Sequence, residues 1–299
     1  MKIPGALLCT AAMLAVGGSV ALNELIVDYP TLTGQAVRYA LAAAILGAIA
    51  RGRPTALRRR DLARLVALAA TGLAGFNVCI LLALRHADAA IIGTVIGATP
   101  IALAICGPLL RRERPATRAV AAALVVVLGA AIVRGGGHAD TTGVLLAVGA
   151  LAGEVSFSLI AVPLLARIGV VRTSAYACAA AVPLLLAGAV AGGELARWRP
   201  PSTAEALTYA YLVLVLTVGA FLAWYNGLGR LGVERAGLFA GLMPVATLAT
   251  ATILHASAPT LPQVAGVAIV GAGLAFALAR SAPHRPARRP VPAARVPEG

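Results

Sequence analysis

Charge is scarce in this chain: only 12% of its 299 residues are Asp, Glu, Lys or Arg, against about 25% in a soluble globular domain. That shortage excludes a water-soluble fold, and the 60% of residues that are hydrophobic point to lipid as the solvent. Close cysteine pairs are missing as well. Cys9, Cys79, Cys106 and Cys178 all fall in apolar segments, without the Cys-x-x-Cys spacing of metal and redox motifs, and read as small core residues. His86, His138, His255 and His284 sit at the ends of apolar runs or in the C-terminal tail, so no metal site is expected. There is no His-Glu-x-x-His, no Gly-x-Ser-x-Gly, no paired aspartates and no phosphate-cradling glycine loop; these are the constellations an enzyme would need. His86 and Asp88 come nearest to an acid/base pair, but beside Arg85 they read as turn residues solvating a helix end. No enzymatic activity and no cofactor are expected.

What the sequence has in abundance is long apolar runs. About 20 residues of helix cross roughly 30 Å of hydrocarbon, and such runs occur near 4–27, 30–50, 64–84, 88–110, 116–134, 141–166, 171–192, 206–228, 234–255 and 261–280. They are continuously apolar instead of alternating, which excludes a lipid-facing β-barrel. The expectation is an all-α polytopic membrane protein of ten transmembrane helices. Its first span, after Lys2, reads as uncleaved.

The formal charge of +14 suggests nucleic acid until its placement is considered. Assigned to alternate loops of ten spans, twenty Lys and Arg fall on one side and four, Arg85, Arg134, Arg197 and Arg199, on the other, with Arg38 inside a span. Positive loops stay cytoplasmic, so both termini are expected in the cytoplasm of a multi-pass cell-membrane protein, and nucleic acid is excluded as a partner. The basic stretches 51–64 and 280–295 contact lipid headgroups at most, and the Pro- and Arg-rich segment 282–299 reads as a disordered tail.

The chain also repeats itself. Gly93, Gly97 and Pro100 are echoed by Gly237, Gly241 and Pro244, each 144 residues later, and the ungapped alignment of 84–131 on 228–275 adds Pro115/Pro259, Val126/Val270 and Gly129/Gly273. Five expected crossings separate the copies. An odd number inverts one half relative to the other, giving two inverted five-helix repeats, 1–135 and 141–281, an arrangement many secondary transporters use for alternating access.

Leu32 to Arg38, the blocks 84–100 and 228–244, and Arg112-Glu113-Arg114 resemble the drug/metabolite transporter superfamily, specifically its EamA-type members with two five-helix repeats. The resemblance spans roughly residues 5–280. It departs at Gly17-Gly18, which lacks a Trp often found there, and at Ser257, where the second half often carries an acidic residue opposite Glu113. It implies a transporter moving small metabolites, often outward, through a cavity between the halves.

The Gly-x-x-x-Gly pairs allow close helix packing, and Pro100 and Pro244 remove a backbone hydrogen bond one turn later and favour a kink. These six residues are therefore candidates for gating or for static packing. Ionisable groups at membrane depth are costly and usually face a cavity or a partner. That singles out Glu154 and Arg38 as substrate or coupling residues, or as a structural pair with each other, while Glu24 lies near an interface. Asn23, Asn77, Tyr176, Trp224 and Tyr225 are polar or aromatic at suitable depth, although membrane-interface anchoring also explains the last two. The reading is a secondary active exporter of a small polar metabolite, amino-acid-like or drug-like, with a coupling proton and membrane lipids as partners and a homodimer left open. A lipid or polyprenyl-carrier flippase of the same fold is the alternative.

Overall fold

The computed structural model describes residues 3–26, 28–50, 56–135, 137–254, 256 and 258–278; the expected tail, 282–299, lies outside them. Among the described residues the chain is helical apart from an isolated bridge between Ala87 and Ala139. The helices are α1 (Gly5–Leu22), α2 (Thr31–Ile49), α3 (Arg59–Leu68), α4 (Phe76–Ala83), α5 (Ala89–Ile96), α6 (Thr99–Leu110) and α7 (Thr117–Arg134). They continue with α8 (Thr141–Ile168), α9 (Val170–Ala191), α10 (Thr203–Tyr211), α11 (Ala220–Leu231), α12 (Val233–Leu238), α13 (Leu242–Leu254) and α14 (Leu261–Leu278). Seven helical stretches are long and apolar enough to cross a membrane, among them Arg59–Ala83 and Thr203–Leu231, and Gly5–Ser19 and Leu261–Ala277 are shorter apolar helices. In hydrocarbon every backbone N–H and C=O needs an internal partner, which is why helices replace loops at depth.

Connections are tight where the sequence places glycine. Gly169 and Gly232 take φ of 82° and 79°, values open to glycine at little cost, so α8 reverses directly into α9 and α11 into α12.

Two pairs of interruptions follow the sequence repeat. A π-helical segment, Ala69–Gly75, joins α3 to α4, and another, Leu212–Gly219, joins α10 to α11; a shift of 144 residues superposes them almost fully. The second pair lies in the Gly-Gly-Pro elements. Helix α5 stops at Ile96, Gly97 and Ala98 form a turn, and α6 restarts at Thr99. In the second half a 3₁₀ turn, Phe239–Gly241, separates α12 from α13. The interruption therefore precedes Pro100 and Pro244 instead of following them. Pro100 sits in the first turn of the restarted helix, where its missing N–H is harmless, so the expected kink one turn after the glycines is replaced by a broken helix ending at them.

The two halves meet along α7 and α14. A methyl group on Gly129 would lie 2.7 Å from both the carbonyl oxygen of Gly266 and the backbone nitrogen of Val270, and one on Gly266 would lie 2.8 Å from Val133. One on Gly273 would lie 2.7 Å from Val126. Residue numbers rise on one helix as they fall on the other, so the helices are antiparallel. The contacts also exchange under the 144-residue shift: Gly129 meets Val270 and Gly273 meets Val126, the reciprocity of a two-fold interface. Small residues let backbones approach closely in lipid, and they do so here rather than at Gly93 and Gly97. Gly93 instead lies under the Arg134 guanidinium, Gly237 packs on Leu103 and Gly241 on Val126.

Candidate functional site

The polar groups at depth converge on one cluster fed by both halves. Tyr39 of α2 is buried, and its electrostatic neighbours are Arg38, Cys178, Asn77 and Glu154, with the Asn77 side chain as a hydrogen-bond partner. Tyr225 of α11 is fully buried and shares Cys178, Glu154 and Tyr39 as neighbours. α2 and α4 therefore face α8, α9 and α11 across this group.

Glu154 lies at the midpoint of α8 and is half-buried. Close packing on either side fixes it there: Gly153 lets α8 approach the Thr71 carbonyl, to 2.7 Å from an added methyl, and Gly72 accepts Phe157 at 2.9 Å. Both contacts fall on the first π segment, whose wider turn brings the helices together. Among the described residues Glu154 has no ion pair.

Arg38 is 7% exposed and also lacks a carboxylate partner among the described residues. Its Nε donates to Thr217 Oγ1 at 2.7 Å and its NH1 to Gln35 Oε1 at 2.9 Å, with the guanidinium 5.0 Å from the Tyr39 ring centre. The structural pair of Arg38 with Glu154 is thus not formed, and two ionisable groups stand in one region, each held by neutral neighbours. Thr217 was not singled out from sequence. It sits in the second π segment and donates back to the Leu212 carbonyl, five residues earlier, at 2.8 Å, which leaves its oxygen lone pairs turned to Arg38. A lone Thr in the apolar run Leu212–Gly219, on the helix facing an Arg, was the available signal.

The remaining candidates divide. Asn77 Nδ2 donates to the Leu73 carbonyl at 2.6 Å in addition to meeting Tyr39. Trp224, 3% exposed, donates from Nε1 to Ser158 Oγ at 3.2 Å, and Tyr225 stacks on Phe157 with ring centres 5.0 Å apart. Both rings are inside the bundle, so interface anchoring does not account for them. Tyr176 is half-buried on α9. Asn23 is exposed in the 3₁₀ turn Asn23–Ile26 that follows α1, away from the cluster; Glu24 shares that turn, and its side chain lies outside the described residues.

Other buried acids serve the frame. The Glu194 carboxylate accepts the backbone N–H of Leu32 at 2.8 Å and of Thr33 at 3.0 Å, placing negative charge at the N-terminus of α2, where the helix dipole favours it. Asp61 pairs with Arg167, joining α3 to α8. A cavity of about 350 Å³ lies between the turn 84–88 and residues 138–140. There His86 Nδ1 meets Asp140 Oδ2 at 2.9 Å, and the His138 N–H donates to Asp88 at 2.8 Å. His86 and Asp88 thus clasp the linker between the halves instead of solvating a helix end. The Gly143 N–H, and after it His86, hold the Asp140 carboxyl below the ordinary carboxylate range.

Wide turns, broken helices and inward charges are features of a transport path. The sequence pattern of the EamA-like transporter family matches residues 3–135 and 141–279. The chain belongs to this family. It is 25% identical over 276 residues to the uncharacterized transporter YetK of Bacillus subtilis (strain 168), covering 88% of this chain and 83% of that one. It is 28% identical over 259 residues to the uncharacterized transporter YdeK of the same organism, covering 81% and 85%. A crystal structure 21% identical in sequence shares the fold, with a TM-score of 0.77 over 92% of this chain and 97% of its own. The EamA-like chain described here is therefore a multi-pass membrane transporter.

Proposed function

We propose that this transporter is a secondary active exporter of a small polar, amphoteric metabolite, working by alternating access between two inverted five-helix repeats. The reading has ten crossings, with the shorter helices α1 and α14 and the joined pairs α5–α6 and α12–α13 each counted as spanning, and both termini in the cytoplasm. Domain limits of 1–135 and 141–281 follow from it. The observation that carries it is the carboxylate of Glu154, without an ion pair among the described residues and half-buried at mid-helix in the group that includes Tyr39, Asn77, Cys178 and Tyr225. A carboxylate so placed binds a cationic group or exchanges a proton during the cycle. Arg38 offers a matching site for an anionic group, since a buried cation without a counter-ion is strongly destabilised until one arrives. The Gly97 and Gly241 interruptions provide the joints about which each half bends.

Vesicles reconstituted with the protein and loaded with labelled amino acids test the reading. Efflux is expected to depend on pH, and Glu154→Gln is expected to cut the rate at least tenfold and flatten that dependence. Unchanged rate and pH profile in Glu154→Gln would remove Glu154 from coupling. Movement of a labelled lipid in place of every soluble probe would favour a flippase of this fold.

A further inference from the structure

Sequence symmetry between the halves is broken at one contact, and the packing is broken with it. Helix α12 packs directly on α6, joining the halves at the face that carries the Arg-rich connections. Their counterparts under the 144-residue shift are α5 and α13, at the opposite face. No comparable interface joins that pair among the described residues; α5 packs on α8 and α13 on α1. The described form therefore joins α6 to α12 at the Arg-rich face without an equivalent contact between α5 and α13 at the other, where the halves meet instead through α5 with α8 and α13 with α1.

The Arg-rich face holds the ion pair. Arg111, just past the end of α6, reaches across to Glu234 of α12, with NH2 to Oε1 at 2.5 Å, and its Nε donates to Glu113 of its own half at 2.9 Å. Gly107 supplies the room: a methyl group there would lie 3.1 Å from Glu234 Oε1. In the sequence, the 144-residue shift sets Ala90 against Glu234, His255 against Arg111, Ser257 against Glu113 and Ala251 against Gly107. Neither acid has an acidic counterpart in the sequence, so the shifted positions offer no equivalent pair.

We propose that Arg111, Glu234 and Glu113 form a one-faced latch that favours the conformation closed at the Arg-rich face. Two inverted repeats of identical sequence would populate their two conformations equally; an ion pair present in only one of them tilts the balance. Its strength sets its role. Arg111 and Glu234 are partly exposed, 46% and 27%, and such pairs are worth about 0.2–1 kcal/mol, roughly up to fivefold in the ratio of the two forms. That biases the cycle without locking it, as a transporter requires. The proposal rests on the alternating-access reading above, but its test needs no substrate.

A cysteine-free protein carrying Leu103→Cys, at the buried contact of α6 with Gly237, is reacted with a maleimide in nanodiscs; Leu46→Cys, buried on α2, reports general loosening. Arg111→Ala and Glu234→Ala are each expected to speed labelling at position 103 about two- to fivefold with position 46 unchanged, and the charge exchange Arg111→Glu with Glu234→Arg to restore the slower rate. Unchanged labelling at 103, an equal rise at 46, or no recovery in the exchange each overturn the latch. An inactive Glu154→Gln transporter with intact labelling behaviour would separate failure of the transport mechanism from failure of the latch.

Discussion

Thr217 shows how a single hydroxyl settles the state of a buried cation. It gives Arg38 Nε its acceptor and satisfies its own hydrogen through Leu212. Thr217→Val keeps the shape and removes the acceptor, and an unsatisfied buried donor costs roughly 1–3 kcal/mol. Thermal unfolding in detergent is expected to show that loss for Thr217→Val and recovery in Thr217→Ser; equal melting of all three would mean that water or Gln35 alone holds the guanidinium. Glu154 and Arg38 were legible from sequence because charge in an apolar run is conspicuous. Their mutual independence was not, because partner choice depends on rotamers and helix rotation that no spacing rule fixes. Thr217 was visible only as a lone Thr in an apolar run, a weak signal because Ser and Thr in apolar helices usually bond back to their own helix, and the π segment in which its oxygen meets Arg38 leaves no mark in hydropathy.

At the scale of helices, the apolar runs fall on helical stretches with ends within about five residues, and seven of those stretches are long and apolar enough to cross a membrane, since length and hydropathy dominate in lipid. What hydropathy could not show is where a helix is interrupted or widened. The Gly-Gly-Pro elements gave notice of a disturbance, and its position was misjudged because proline at the start of a restarted helix is benign while glycine ends the preceding one. The small-residue contact between α7 and α14 was also not singled out, although Gly129 and Gly273 are part of the repeat. Gly129→Val should force α7 and α14 apart against backbone on both sides, costing about 1–3 kcal/mol from overpacking. Gly271→Ala on the same α14, with nothing within 4 Å of the added methyl, should be neutral or stabilising by up to about 1 kcal/mol. Melting of the two variants side by side checks the seam; comparable stability would place the contact between the halves elsewhere.

Across the whole molecule, the 144-residue repeat was legible in the sequence, and the antiparallel run of α7 against α14 is consistent with the inversion proposed from it. The clasp of the turn 84–88 on residues 138–140 was not legible, since it depends on how the linker folds back. The reciprocal contacts of Gly129 with Val270 and Gly273 with Val126 carry a further consequence. At this seam the two contacts are related by the 144-residue shift, so the halves are expected to associate as two protomers would, with the connection between them acting as a tether. A short tether acts by raising effective concentration, to the millimolar range for flexible ones, and adds no specificity. Chains 1–135 and 136–299 expressed together are therefore expected to co-purify and to regain the intact protein's melting profile in part. Failure to associate in the same membrane would assign the tether a structural duty beyond proximity.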